Sequence, residues 1–241
     1  MKRFLYKLYI LLVTPIFVVV TVLCAVTAAG ACFLGAERFG SLYPGMIWSR
    51  ISLLLLLCPV KVNGKNNIKP GQRYVVTPNH TSALDIFLIY GYFGQPFKWV
   101  MKGSLRNIPV VGWACEKCGF IFVDLTSTKG AMDVVYATEN AIQKGYSVIM
   151  FPEGSRTTDG SMKRLKRGAF RVAIDTNTAV LPAVIEGGYE ALSRYAIWPT
   201  PHPLTLTFCP EVDIEPYPKT AEGVNELCSD VEQILRTQLE H

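Results

Sequence analysis

The 241 residues suffice for one ordinary domain, or for one domain with a membrane element, and are too few for two full cores. A hydrophobic share of 50%, a charged share of 18% and a mean hydropathy of +0.25 exclude a disordered chain and sit poorly with an ordinary soluble enzyme. The net charge of +5 resides in two patches, Lys2, Arg3 and Lys7 at the start and Lys163, Arg164, Lys166, Arg167 and Arg171 further on, which would attract anionic lipid or nucleic acid if not merely solvated.

From Leu8 to Ala36 no residue is charged. As helix this stretch would run roughly 40 Å, longer than the roughly 30 Å hydrocarbon core of a bilayer. It is too long for the apolar region of a secretory signal, and Ala29-Gly30-Ala31-Cys32 makes a poor lipoprotein box. Pro15 offers a place to kink. A second apolar run, Ile51–Val60, is too short to span. A single crossing with Lys2, Arg3 and Lys7 inside would leave everything after Ala36 outside. A helical hairpin dipping into one leaflet, with residues 8–36 and 42–60 as its arms, avoids that. The expected division is therefore a membrane-associated segment, residues 1–60, followed by an α/β domain, residues 61–241.

After Val60 short β-rich runs alternate with helical ones, which predicts an α/β fold with a mixed sheet flanked by helices. Strands are expected at Tyr74–Thr77, Phe97–Met101, Gly119–Asp124, Ser147–Phe151, Val180–Ile185 and Leu204–Cys209. Helices are expected at Ser82–Tyr92, Thr128–Lys144, Gly168–Asp175 and Ala221–Leu239. The last carries Val224, Leu227, Cys228, Val231, Ile234 and Leu235 at amphipathic spacing, which marks it as a packing helix. Residues 196–203 and 210–220 read as proline-punctuated loops.

Three histidines are present, His80, His202 and His241. His80 lies in Asn79-His-Thr-Ser-Ala-Leu-Asp85, just past a strand, where α/β ligand sites collect. A carboxylate accepting from imidazole Nδ1–H fixes the tautomer and leaves Nε2 to take a proton from a hydroxyl. Residues five apart point away from each other in an unbroken helix, so His80 must sit in the turn and Asp85 in the first helical turn. A second block, Phe151-Pro-Glu-Gly-Ser-Arg-Thr157, offers a rigid strand-end turn with a guanidinium suited to an anion. A third, Lys102-Gly-Ser-Leu-Arg-Asn-Ile-Pro-Val-Val-Gly-Trp113, adds a cation.

In this order the blocks resemble the 1-acylglycerol-3-phosphate O-acyltransferase family of glycerophospholipid acyltransferases, over roughly residues 45–215. The resemblance implies His80 as general base, Asp85 as its orienting carboxylate, and Glu153, Gly154, Ser155 and Arg156 as binders of the acceptor phosphate. It maps the lysine block onto Lys102, Leu105, Ile108, Pro109 and Gly112, and a later proline block onto Val180-Leu-Pro-Ala-Val184. One departure stands out. Where the family commonly has an arginine after a strand aspartate, Asp124 is followed by Leu125.

The implied reaction moves a fatty acyl group from an acyl thioester, acyl-CoA or acyl carrier protein, to the sn-2 hydroxyl of lysophosphatidic acid. It needs neither a cofactor nor a metal, and it is expected at the cytoplasmic face of a membrane. Other lysolipid acceptors, such as an ornithine lipid or a lysophospholipid, and a catalytically silent lipid-binding protein are the alternatives. A binding module would need the arginine but not the paired His80 and Asp85. No G-x-S-x-G, H-E-x-x-H, G-x-x-x-x-G-K-(S/T) or G-x-G-x-x-G motif occurs, against a typical serine hydrolase, zincin, P-loop NTPase or dinucleotide enzyme. Cys115-Glu-Lys-Cys118 has no partner pair at metal spacing and reads as ordinary thiols, and seven cysteines spread along the chain do not suit a disulfide scaffold. The 163–171 cluster lacks the interleaved aromatics that stack bases, so no nucleic-acid partner is expected.

Overall fold

A computed structural model describes residues 2–123 and 128–240. It opens with two antiparallel helices, α1 (Lys2–Phe33) and α2 (Glu37–Leu55). Pro15 lies inside α1 without interrupting it, and Pro44 lies inside α2. The second arm keeps its expected length but lies five residues earlier, at Glu37–Leu55 instead of 42–60. The helix stops at Leu55, Leu57 adopts a left-handed φ of 55°, and Val60 opens a strand, β1 (Val60–Asn63), that the sequence pattern did not reveal. Val60 therefore belongs to the sheet rather than to the hairpin, because its run pairs with residues 204–207 far along the chain.

The remaining elements are β2 (Val75–Pro78), α3 (Leu84–Tyr92), β3 (Phe97–Lys102), α4 (Val111–Lys117), β4 (Ile121–Val123), α5 (Thr128–Gln143), β5 (Ser147–Ile149), α6 (Gly168–Asp175), β6 (Val180–Glu186), α7 (Gly188–Ala191), β7 (Leu204–Phe208) and α8 (Ala221–Leu239). The short helices α4 and α7 were not anticipated. Asp124 and Leu125, where the family departure falls, lie outside the described residues. α6 and α8 match their predicted limits. Thr220 caps α8 by accepting the Gly223 N–H at 3.3 Å, and the stripe Val224, Leu227, Cys228, Val231 and Leu235 is buried.

The seven strands order as β1-β7-β6-β2-β5-β3-β4, parallel throughout except for the antiparallel β6–β7 pair. Helices cover both faces, giving two apolar cores. One is built from the hairpin, α3 and the aromatic side chains Tyr90, Phe93, Phe97, Trp99 and Phe120. The other lies beneath α5, α6 and α8. This is the mixed sheet flanked by helices that the pattern predicted.

The hairpin is joined to the sheet layer along α2. Tyr90 of α3 donates its hydroxyl to Ser41 O at 2.7 Å, Arg50 Nε donates to Gly91 O at 2.9 Å, and the Trp48 and Phe87 rings meet at 4.6 Å. α1 lies outside α2, tied to it by Trp48 Nε1 donating to Thr21 Oγ1 at 2.9 Å and by the Tyr6 and Tyr9 hydroxyls donating to Leu56 O and Leu55 O. Of the most apolar 18 residues of α1, within Arg3–Phe33, only 6% are buried. Its outer face, from Phe4, Leu5 and Leu8 to Val22, Leu23 and Val26, is apolar and exposed. Such a face is costly in water and matches hydrocarbon.

Candidate active site

Three neighbouring parallel strands, β2, β5 and β3, end at one edge of the sheet, and each delivers one of the sequence blocks there. His80 follows β2, residues 151–156 follow β5, and Lys102 closes β3. The chain leaves β2 through α3 on one face and leaves β5 through α6 on the other. The two loops thus part at the strand ends, the arrangement that opens a ligand crevice in α/β sheets.

Asn79 sets the first loop. Its buried amide donates to Ile185 O at 3.0 Å and accepts the Ile185 N–H at 2.7 Å, which pins the end of β2 to β6. The chain then wraps around Asp85, whose side chain is wholly buried in the first turn of α3. Asp85 Oδ2 accepts from the Thr81 N–H at 2.6 Å and the Ser82 N–H at 2.8 Å, and lies 2.8 Å from His80 Nδ1. A carboxylate at a helix N-terminus is favoured by the helix dipole as well. Because a carboxylate only accepts, Nδ1 carries the proton and Nε2 is the open, basic nitrogen. The ring is 14% exposed and stacks on Phe151 at 3.8 Å between centroids, which fixes its plane.

Gly188, at the start of α7, completes this wall. A Cβ there would stand 2.7 Å from Thr81 Oγ1 and 2.8 Å from Asp85 Oδ1, so only glycine lets the α7 backbone close over the carboxylate. Neither Asn79 nor Gly188 was assigned a role from the sequence. Their partners are roughly a hundred residues away in the chain, and no local signal could have supplied them.

The second block organises His80 from the other side. Glu153 is buried, with Oε1 accepting the His80 N–H at 2.6 Å and Oε2 accepting the Lys163 N–H at 2.9 Å, while the Thr157 N–H donates to His80 O at 3.0 Å. Burial pushes the Glu153 carboxyl pKa up, against the opposing pull of those two N–H groups. Both its oxygens are thus engaged by backbone donors of the His80 loop and of the basic segment. It thereby bridges the His80 loop and the basic segment.

Gly154 has φ 72°, and a Cβ there would meet Lys166 Nζ at 2.7 Å. Ser155 Oγ accepts from Lys163 Nζ at 3.0 Å. The carbonyl of Arg156 accepts from both Lys163 Nζ at 2.6 Å and Arg194 Nη1 at 2.9 Å. Four cations therefore gather at one turn, Arg156 on it and Lys163, Lys166 and Arg194 against it. Among the described residues the half-buried Arg156 guanidinium makes no hydrogen bond or ion pair within the protein. Lys163 and Lys166 had been read as part of a surface patch, and Arg194 had not been singled out. The rest of that patch stays at the surface, as in the Arg171–Asp175 ion pair at 2.6 Å.

Lys102 reaches the same edge one strand beyond β5 and is exposed. Among the described residues its ammonium touches neither the His80–Asp85 pair nor the 151–156 turn. Cys115 lies in α4 and Cys118 caps its C-terminus, facing α1, with Cys118 Sγ 3.5 Å from Cys32 Sγ. Burial pushes the Cys115 thiol up to about 11 and the Cys118 thiol higher, which disfavours the thiolate that redox or metal chemistry needs.

A family model described as Acyltransferase matches residues 59–186, a span that includes all three blocks. The chain is 32% identical over 142 residues to the chloroplastic 1-acyl-sn-glycerol-3-phosphate acyltransferase LPAT1 of Arabidopsis thaliana, covering 58% of this chain and 39% of the other. It is 29% identical over 209 residues to the 1-acyl-sn-glycerol-3-phosphate acyltransferase of Saccharomyces cerevisiae, covering 81% and 66%. The chain thus spans well under half of the Arabidopsis relative and about two thirds of the yeast one. The crystal structure of the 1-acyl-sn-glycerophosphate acyltransferase PlsC from Thermotoga maritima superposes with a TM-score of 0.80 at 24% identity, over 99% of this chain and 96% of that one. At that identity the likeness is one of fold.

Proposed function

Because the chain belongs to the acyltransferase family, we propose that it transfers a fatty acyl group from an acyl thioester to the sn-2 hydroxyl of 1-acylglycerol-3-phosphate, giving phosphatidic acid. The observation that carries this reading is the His80 Nδ1–Asp85 contact of 2.8 Å, which leaves Nε2 open beside a turn where four cations gather. The acceptor hydroxyl attacks the thioester carbon as Nε2 takes its proton, and Asp85 stabilises the resulting imidazolium. The tetrahedral intermediate collapses with loss of the thiolate of CoA or acyl carrier protein, which recovers the proton from His80. No covalent acyl-enzyme, metal or cofactor enters the balance.

Arg156 is assigned to the acceptor phosphate, with Ser155 and Gly154 shaping the turn and Lys102 as a further cation at the edge. A guanidinium offers forked donors to a phosphate, and such charge-assisted bonds are the strong ones. Purified protein supplied with acyl-CoA or acyl carrier protein donors is expected to acylate lysophosphatidate in preference to lysolipids lacking the phosphomonoester. Arg156→Ala should raise KM for lysophosphatidate by roughly 10–100-fold, from the loss of a charged hydrogen bond, and leave the donor KM unchanged. A rise confined to the donor would reassign Arg156, and a preference for a neutral or zwitterionic acceptor would sink the substrate assignment.

The exposed apolar face of α1 supports attachment to a membrane without crossing it. At 1.5 Å per residue the 32-residue helix is roughly 48 Å long, more than a bilayer core. A crossing end-on would carry α2, and with it α3 and the sheet, into hydrocarbon. Lying near the plane of one leaflet, α1 buries its outer face and keeps the sheet in water. The N-terminus and the catalytic edge then share one side, the cytoplasmic side where acyl thioesters are made. Single cysteines introduced before Leu8 and beside Lys219 should both resist an impermeant reagent in intact cells and both react in inverted membranes. Reaction of the second site alone in intact cells would establish a single crossing.

A further inference from the structure

The loop between α7 and β7, residues 192–203, is anchored at both ends of the functional edge. On the catalytic side, Leu192 O accepts from Ser82 Oγ at 2.7 Å, and Arg194 Nη1 donates to Arg156 O at 2.9 Å. On the hairpin side, Lys7 Nζ of α1 stands over the Trp198 ring at 5.5 Å, and the Cys58 thiol donates to Thr200 O at 3.9 Å. Between these anchors the loop projects two large side chains into solvent, Tyr195 at 75% and Ile197 at 85% exposure. No packing in the fold accounts for an isoleucine that exposed at the tip of a well-tied loop.

The surroundings say what covers it. Phe4, Leu5 and Leu8 at the start of α1, and Leu54 and Leu57 at the end of α2, are exposed beside the same edge. The Tyr6 hydroxyl bonded to Leu56 O and the Lys7–Trp198 contact join these groups to the loop. The tip therefore continues the apolar face of α1. Its flanking groups are two aromatic residues, Tyr195 and Trp198, and two cations, Arg194 and Lys7, the composition favoured at lipid headgroup level over an anionic surface.

We propose that the 194–198 loop is a second membrane contact, seated in the headgroup region of an anionic bilayer, and that Arg194 transmits its seating to the Arg156 turn. This builds on the membrane reading of α1 and on the acceptor role of Arg156. The hairpin alone, with α1 and the exposed Phe39, Tyr43, Ile47 and Leu54 of α2, leaves the tilt of the catalytic edge toward the membrane less constrained. A second contact beside the catalytic edge fixes the tilt, so that His80 faces the depth at which a lysolipid presents its hydroxyl.

Two variants of the full chain test this on vesicles of phosphatidylethanolamine and phosphatidylglycerol. Tyr195→Trp adds one indole, and the difference from wild-type emission is expected to shift to the blue on vesicle binding and to be quenched by lipids brominated near the headgroup end of the chains. Ile197→Asp should raise KM for long-chain lysophosphatidate presented in the vesicles by about tenfold. Its KM and kcat with a short-chain lysophosphatidate below its micellar concentration should remain those of wild type, as should its melting temperature. Water-like, unquenched difference emission from bound protein overturns the proposal, as does an equal KM rise for both acceptors. A rise seen only with a donor on acyl carrier protein overturns it too, by assigning the loop to a protein partner. Should wild-type protein acylate neither acceptor, the acyl-transfer reading fails while the fluorescence still decides the loop.

Discussion

His80→Ala is expected to lower kcat by about 10²–10⁴-fold, the usual worth of a positioned general base. Loss of the imidazole removes the proposed acceptor of the hydroxyl proton and its stack on Phe151, but leaves the backbone of the loop held. The backbone bonds that shape the loop, His80 N–H to Glu153 and Thr157 N–H to His80 O, do not involve the ring. The variant should therefore melt close to wild type, sediment with membranes as wild type does, and keep its KM for lysophosphatidate within a few-fold. Residual catalysis would come from holding the two substrates together. Turnover near the wild-type rate at neutral pH would remove His80 from the proton transfer.

Substitution of Asp85 separates two duties that one oxygen performs. Oδ2 accepts from the Thr81 and Ser82 N–H groups and lies against His80 Nδ1, so an amide at this position must place its own oxygen there to satisfy the two backbone donors. Asp85→Asn consequently keeps the productive tautomer of His80 and turns its NH₂ toward Thr81 Oγ1, which lies 3.4 Å from Oδ1 and can accept. What it loses is the negative charge opposite the imidazolium, expected to lower kcat by roughly 10–100-fold on the scale of a charged hydrogen bond. Asp85→Ala leaves both buried N–H groups without an acceptor and should cost about 2–6 kcal/mol of stability, at about 1–3 kcal/mol per orphaned group. Denaturant unfolding and kcat of the two variants are the measurements. Equal stability losses for Asn and Ala would refute the shared-oxygen account.

The local parts of this protein were legible before any coordinates. His80 and Asp85 are five residues apart, and pairing them at that spacing required a turn followed by a helix start, although the helix begins after Ala83 without a side-chain cap. The limits of α6 and α8 follow from apolar periodicity, because one stripe of each helix must face the sheet. The apolar stretch from Leu8 announced α1 by the lack of any charge to interrupt it.

Glu153 shows where such reading stops. A carboxylate in a strand-end turn has the same local signature whether it faces a ligand or a backbone N–H, and its partner, the His80 N–H, is 73 residues away. The resemblance grouped it with the phosphate-binding turn, whereas the fold spends both its oxygens on the loops. Strand β1 was concealed for a related reason. Its four residues continue an apolar run, and only pairing with residues 204–207 distinguishes them from more hairpin. Arg194 looked like any loop arginine until the sheet order brought its guanidinium to the Arg156 carbonyl. Composition, periodicity and short motifs by themselves determined the long apolar helix α1, the α/β class and the His80–Asp85 pair, since these depend on neighbours within a few turns of chain. Only the tertiary structure decided the strand order, the seating of the hairpin on α3, the role of Glu153 and the gathering of cations at one turn. Those depend on which distant backbone donors and acceptors end up sharing a buried site, where an unpaired polar group is costly.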